Sequence, residues 1–187
     1  MYSSFFKFYF ISIIVLILFS VFTIKTAGNN IENTVEIDEG SFIWPLPNNH
    51  IITSYFGRRN SPTRGASSYH SGIDIAATEG TPIHSCVSGK VIWNGFKGAG
   101  GFTLTVENQN IQVSYCHISP NYMCKIGDIV ASNSIIAHVG PKNVYNVTGN
   151  PYHDSNGNPT NGSTTGCHLH LTIKKDGNAV NPLDYFE

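Results

Sequence analysis

At 187 residues the chain is long enough for one well-cored domain after an apolar N-terminus is set aside. Frequent Gly and Pro, plentiful aromatics and few charges exclude a disordered chain and suit a compact β-rich domain with many turns. A net charge of −1 excludes capture of nucleic acid by bulk charge.

Residues Phe8 to Ile24 form an uncharged, mostly apolar run between Lys7 and Lys25. Its 17 residues sit at the short end of a membrane-spanning helix, about 17–25 residues, and exceed a signal-peptide core of about 7–15. The run favours an uncleaved N-terminal hydrophobic helix that anchors residues 1–24 in the membrane. A cleaved signal peptide is the alternative, with a weak cleavage site at Thr26-Ala27-Gly28. Residues 25–40 then form a polar tether made acidic by Glu32, Glu36, Asp38 and Glu39. The domain of residues 41–187 carries nine Lys/Arg against eight Asp/Glu and is expected outside the cytoplasm, membrane-anchored or secreted.

Prolines at 45 and 47 predict extended chain from Phe42 to Pro47. Strands are predicted over Ile51–Phe56, Ile73–Ala76, Thr81–Val87 and Lys90–Asn94, the last two joined through Ser88-Gly89. Phe102–Glu107 and Ile111–His117 alternate well and predict a hairpin about Asn108-Gln109-Asn110. Asp128–Ala131, Ile135–Val139 and His168–Lys174 complete the set. Asn60–Ser68 is a polar loop, and Gly98–Gly101 a flexible turn. The stretch from Lys142 to Thr165 is long, polar and rich in Asn, Gly and Pro. It runs straight into His168 and is expected to wall a functional site. Many short strands with little helix predict an all-β fold, a single antiparallel β-sandwich or barrel-like domain.

The chemistry concentrates in two places. His168-Leu169-His170 puts two imidazoles at i and i+2 of a strand, on one face. His70 and Asp74 add an imidazole and a carboxylate four residues apart, about a glycine. Two His and one Asp suit zinc with a position left for water. Either motif alone is weak in a chain with eight His, and together they are stronger. No His-Glu-x-x-His occurs. If His117, His168 and His170 face a metal, strand alternation turns Cys116, Cys167 and Leu169 away from it. Tyr115, two residues before His117, should share its face. The cluster Arg58, Arg59 and Arg64 reads as a solvated loop, with contact to substrate carboxylates as the sharper reading. The four Cys read as small buried hydrophobes, with a Cys116–Cys124 bridge conceivable. His50, His84 and His138 read as satisfied bystanders. His153 sits in the long loop, where substrate contact is the lesser reading. Asn146 and Asn161 head formal glycosylation sequons.

The ordered segments "WPLPNNHIITSYFGRR", "HSGIDIAATEGTPIHSCVSGKVIW", "SYCHIS", "IGDIV", "IIAHVG", "TTGCHLHL" and "NPLDYF" resemble the M23 family of zinc metallopeptidases, of the lysostaphin and LytM type. The resemblance covers nearly all of residues 41–187 and implies a fold of the duplicated hybrid motif type. It implies that His70, Asp74 and His170 hold one Zn2+ per domain. It implies that His117 and His168 do not bind the metal but flank the water and the scissile carbonyl. It also implies the substrate, peptide cross-links or stem peptides of bacterial peptidoglycan. Two rival readings remain. One is a catalytically silent scaffold that binds cell wall or regulates other cell-wall hydrolases. The other is a secreted toxin acting on other cells.

Overall fold

The computed structural model describes residues 42–61 and 67–186. The expected anchor (1–24), the tether (25–40) and Arg64 lie outside the described residues. Among those described, no helix is long and apolar enough to cross a membrane.

The strands, in chain order, are β1 (Ile52–Ser54), β2 (Gly57–Arg58), β3 (Tyr69–His70), β4 (Ile73–Ala76), β5 (Pro82–His84), β6 (Gly89–Phe96), β7 (Phe102–Asn108), β8 (Ile111–Cys116), β9 (Ile129–Val130), β10 (Ile135–His138), β11 (His168–Lys175) and β12 (Asn178–Val180). The main sheet runs β1-β4-β11-β8-β7-β6-β9, with β12 also on β11. β5 pairs with β10, and β2 with β3, in two small sheets. Every pairing is antiparallel. The all-β antiparallel expectation is met.

Period-2 patterning decides which face of the main sheet is which. Ile73 and Ile75 of β4, Leu104 and Val106 of β7, Val113 and Tyr115 of β8, and Leu169, Leu171 and Ile173 of β11 form one buried apolar face. Burying each Leu or Ile there contributes about 1.5–3 kcal/mol of transfer free energy. The core closes over Leu46, Ile83 and Ile136, from outside the main sheet. Tyr115 is admitted because its hydroxyl accepts the Cys86 backbone N–H at 2.6 Å. The same alternation turns Asp74, Thr103, Thr105, Ser114, His168, His170 and Thr172 to the opposite face.

The predicted hairpin forms with Asn108 facing Ile111, so its loop is only Gln109-Asn110. Gln109 takes a positive φ of 52° there. Thr81–Val87 and Lys90–Asn94 do not pair with each other as adjoining strands. β5 goes to the small sheet with β10, and β6 to the main sheet between β7 and β9. Ser85 N–H donates to Ser134 O, which holds the crossing chain to the β10 side.

Candidate active site

β3, β4 and β11 bring the two sequence motifs together. β11 pairs with β4 so that His170 lies opposite Asp74. β3 ends on His70, buried at 2% exposure. Asp74 Oδ1 stands 2.8 Å from His170 Nδ1 and 3.1 Å from His70 Nε2, and the two nitrogens are 2.9 Å apart. Gly72 makes this approach possible. A Cβ there would sit 2.1 Å from the Leu171 carbonyl oxygen, which is backbone and cannot rotate away. Gly72→Ala is therefore expected to cost at least ~2 kcal/mol and to push Asp74 off His170. A denaturant midpoint equal to that of the unchanged chain would contradict this.

The surrounding bonds set which ring nitrogens face inward. The Tyr55 carbonyl oxygen, 2.9 Å from His70 Nδ1, can only accept, so Nδ1 carries the proton and Nε2 presents a lone pair. Thr172 Oγ1 lies 2.9 Å from His170 Nε2 and can take that nitrogen's proton, leaving Nδ1 as the lone-pair atom. Two lone-pair nitrogens and one carboxylate oxygen then converge with no hydrogen among them. Such a set calls for a cation. Its spacing of 2.8–3.1 Å is close to the ~3.3 Å edge of a tetrahedron with ~2.0–2.1 Å bonds. These three residues form a cluster that could hold a metal ion. Burial alone would raise the Asp74 pKa. Without a cation, an imidazole proton shared into the cluster from His170 or His70 outweighs burial and holds the carboxyl well below the usual range; a bound cation would take that proton's place. Its other oxygen accepts from Arg59 Nη1 at 3.2 Å.

Two more imidazoles complete the site. His168 Nδ1 donates to the Gly166 carbonyl at 2.9 Å, and its Nε2 stands 3.6 Å from Asp74 Oδ1. His117 Nδ1 donates to the Asn161 carbonyl at 2.6 Å. The two rings lie 4.7 Å apart, centroid to centroid. Burial, aided by His168 and His170, pushes the His117 pKa down to about 3, so its ring is neutral at neutral pH. Burial likewise lowers His170, against the pull of Asp74. All five residues singled out from the sequence thus line one open cleft of about 710 Å³. Thr172 and Lys174 of β11 extend it on one side, and Ser163 to Cys167 wall it on another. The last part of the long loop does wall the site. His153 is exposed and does not line the cleft.

Several expectations need correction. Tyr115 does not share the face of His117, nor does Cys116 face away. His117 follows the last residue of β8 with φ 58°, a left-handed turn that resets the alternation. Cys116 lies opposite His170 and lines the cleft, where burial pushes its thiol up to about 11. Cys167 also lines the cleft and is exposed, not a buried hydrophobe, while Leu169 does point into the core. All four Cys are free, so the Cys116–Cys124 bridge is absent. The solvated-loop reading fails for Arg59, which braces a candidate ligand. The Asn161 sequon is closed to a glycan, because Asn161 is fully buried. Thr172, two residues beyond His170, was within reach of the same alternation argument. Arg59 and Asn161 carried no spacing signal.

A family model described as "Peptidase family M23" matches residues 68–182. The chain is 29% identical over 133 residues to the DD-carboxypeptidase/endopeptidase Mpg of Neisseria meningitidis, across 71% of this chain but only 26% of that protein. It thus spans about a quarter of that curated relative. A zinc-containing peptidase from Vibrio cholerae superposes with TM-score 0.59 at 27% identity, over 76% of this chain and 39% of that one. The catalytic domain of lysostaphin from Staphylococcus simulans shares the fold, with TM-score 0.56 at 23% identity over 73% of this chain and 91% of that one.

Proposed function

The chain belongs to peptidase family M23, and from that premise we propose that it is a zinc-dependent endopeptidase that hydrolyses peptide cross-links or stem peptides of bacterial peptidoglycan. The observation that carries this reading is the convergence of an all-acceptor His70–Asp74–His170 set with two further imidazoles on one open cleft. The endopeptidase named among the relatives supports the substrate class.

One zinc per domain, held by His70 Nε2, Asp74 Oδ1 and His170 Nδ1, would supply Lewis acidity and activate a water near neutral pH. The remaining work falls to the chain. His117 and His168 each spend Nδ1–H on a backbone carbonyl, which leaves Nε2 free to accept a proton from the attacking water and, once protonated, to donate to the developing oxyanion or the leaving amine. The two share these tasks. Arg59 fixes the Asp74 carboxylate by its second oxygen, so that Oδ1 stays aimed at the histidines. The open cleft along β11 leaves room for an extended peptide. The proposal carries the chain's layout with it: residues 1–24 anchor the protein, 25–40 tether it, and 41–187 work outside the cytoplasm where cell wall lies. Release after signal-peptide cleavage is the variant of this layout.

The test is mass spectrometry of purified peptidoglycan after incubation with the zinc-loaded full chain, with His168→Ala as control. New peptide amine termini in the unchanged chain alone are expected, and they identify the bond. A folded, zinc-containing chain that cuts no wall type would overturn the proposal in favour of a wall-binding scaffold.

A further inference from the structure

We propose that Asn161 is a positioning residue for His117, the strut that fixes this imidazole's place and tautomer. The inference rests on the reading of His117 as a proton-handling group, and the experiment below separates the two.

His117 sits in an unfavourable backbone conformation, φ 58°, just past the end of β8. Something must hold it there. Its own backbone is gripped on both sides: its N–H donates to Gly100 O at 2.8 Å, and its carbonyl accepts from Gly140 N–H at 2.9 Å. Asn161 locks the frame around that grip. Its Nδ2 donates to Ile118 O at 3.0 Å, and its Oδ1 accepts Phe102 N–H at 2.8 Å. Its own N–H donates to Lys142 O at 2.8 Å, while its carbonyl takes His117 Nδ1–H at 2.6 Å. The residue is fully buried and uses its amide, its carbonyl and both ends of its carboxamide. It joins the start of β7, the residue after His117, and the base of the long loop.

The carboxamide is specific to this job. It must accept from a backbone N–H and donate to a backbone carbonyl at once. An aspartate could do only the first, and would turn a carboxylate oxygen against the Ile118 carbonyl. The packing leaves no slack: a Cβ at Gly101 would meet the Asn161 carbonyl at 2.3 Å, so the turn before β7 rests directly on the atom that holds His117. Replacing the side chain keeps the carbonyl that holds His117 but removes one or both of the carboxamide bonds that fix where that carbonyl stands, and losing such supporting bonds typically costs ~10–100-fold in activity.

The full zinc-loaded chain, Asn161→Ala and Asn161→Asp are compared by long-range 1H–15N spectroscopy of the histidines, metal analysis and kinetics on peptidoglycan. The unchanged chain should show His117 as a single Nδ1–H tautomer. Both variants should shift or exchange-broaden that signal, keep zinc within about twofold, and lose ~10–100-fold in kcat with KM within about twofold. The near-isosteric Asp variant carries the test if the Ala variant does not fold. Three results would each overturn the proposal: an Nε2–H tautomer at His117 in the unchanged chain, unmoved His117 signals in a folded variant, or kcat preserved within twofold. Should the unchanged chain cut no peptidoglycan, the endopeptidase reading falls, and the spectra alone decide the role of Asn161.

Discussion

Asp74→Ala is expected to weaken zinc binding by at least ~10²-fold and to abolish peptidoglycan cleavage, while leaving a folded chain. The magnitude follows from what the carboxylate does. It is the one anion among the three candidate ligands, and it lies within 3.1 Å of both ligand nitrogens. Its removal also frees the Arg59 guanidinium, now 3.2 Å from Oδ2, to stand unpaired beside a dication. Asp74→Asn keeps the shape but not the charge and should fall between, retaining some metal at high zinc. His70→Ala should match Asp74→Ala in losing both zinc and activity, since its Nε2 is a third of the set. Metal analysis after dialysis against a weak chelator checks each variant. One zinc per chain in Asp74→Ala would mean that the ligands lie elsewhere.

Much of this architecture was legible because it is written in period 2. On β11, Leu169, Leu171 and Ile173 give the core, while His168 and His170 give the chemistry. A strand with hydrocarbon on one side and imidazole on the other has one sensible placement at a sheet–cleft boundary. β4 reads the same way, with Ile73 and Ile75 on either side of Asp74. The hairpin of β7 and β8 was equally plain, since the short polar turn leaves its register little freedom.

What escaped the sequence was set by backbone geometry or by distant partners. His117 broke the alternation by one left-handed residue, and that single φ moved Cys116 to the cleft and Tyr115 to the core. β5 and β6 look like neighbours in sequence, but β5 pairs with the distant β10, and β6 with the next strand, β7, and with the distant β9. Arg59 gave no periodic signal, because its value depends on β1 and β4 lying side by side. Asn161 was hidden by its setting, a polar residue in a polar loop whose burial only the closed fold creates.

His117→Ala and His168→Ala should keep their zinc and still lose ~10²–10⁴-fold in kcat. Neither ring belongs to the convergent ligand set: His168 Nε2 stays 3.6 Å from the Asp74 oxygen, and His117 bonds instead to Asn161. Alanine is a poor choice at a φ of 58°, so His117→Asn, which tolerates left-handed backbone, separates lost chemistry from lost conformation. It should be as inactive as His117→Ala, but more stable. On the proposed reading the two rings, with centroids 4.7 Å apart, share one proton path, and their losses should not multiply. The double variant should be no worse than ~10-fold below the weaker single. Fully multiplicative losses would mean two independent tasks, and zinc lost from either single variant would move that histidine into the ligand set.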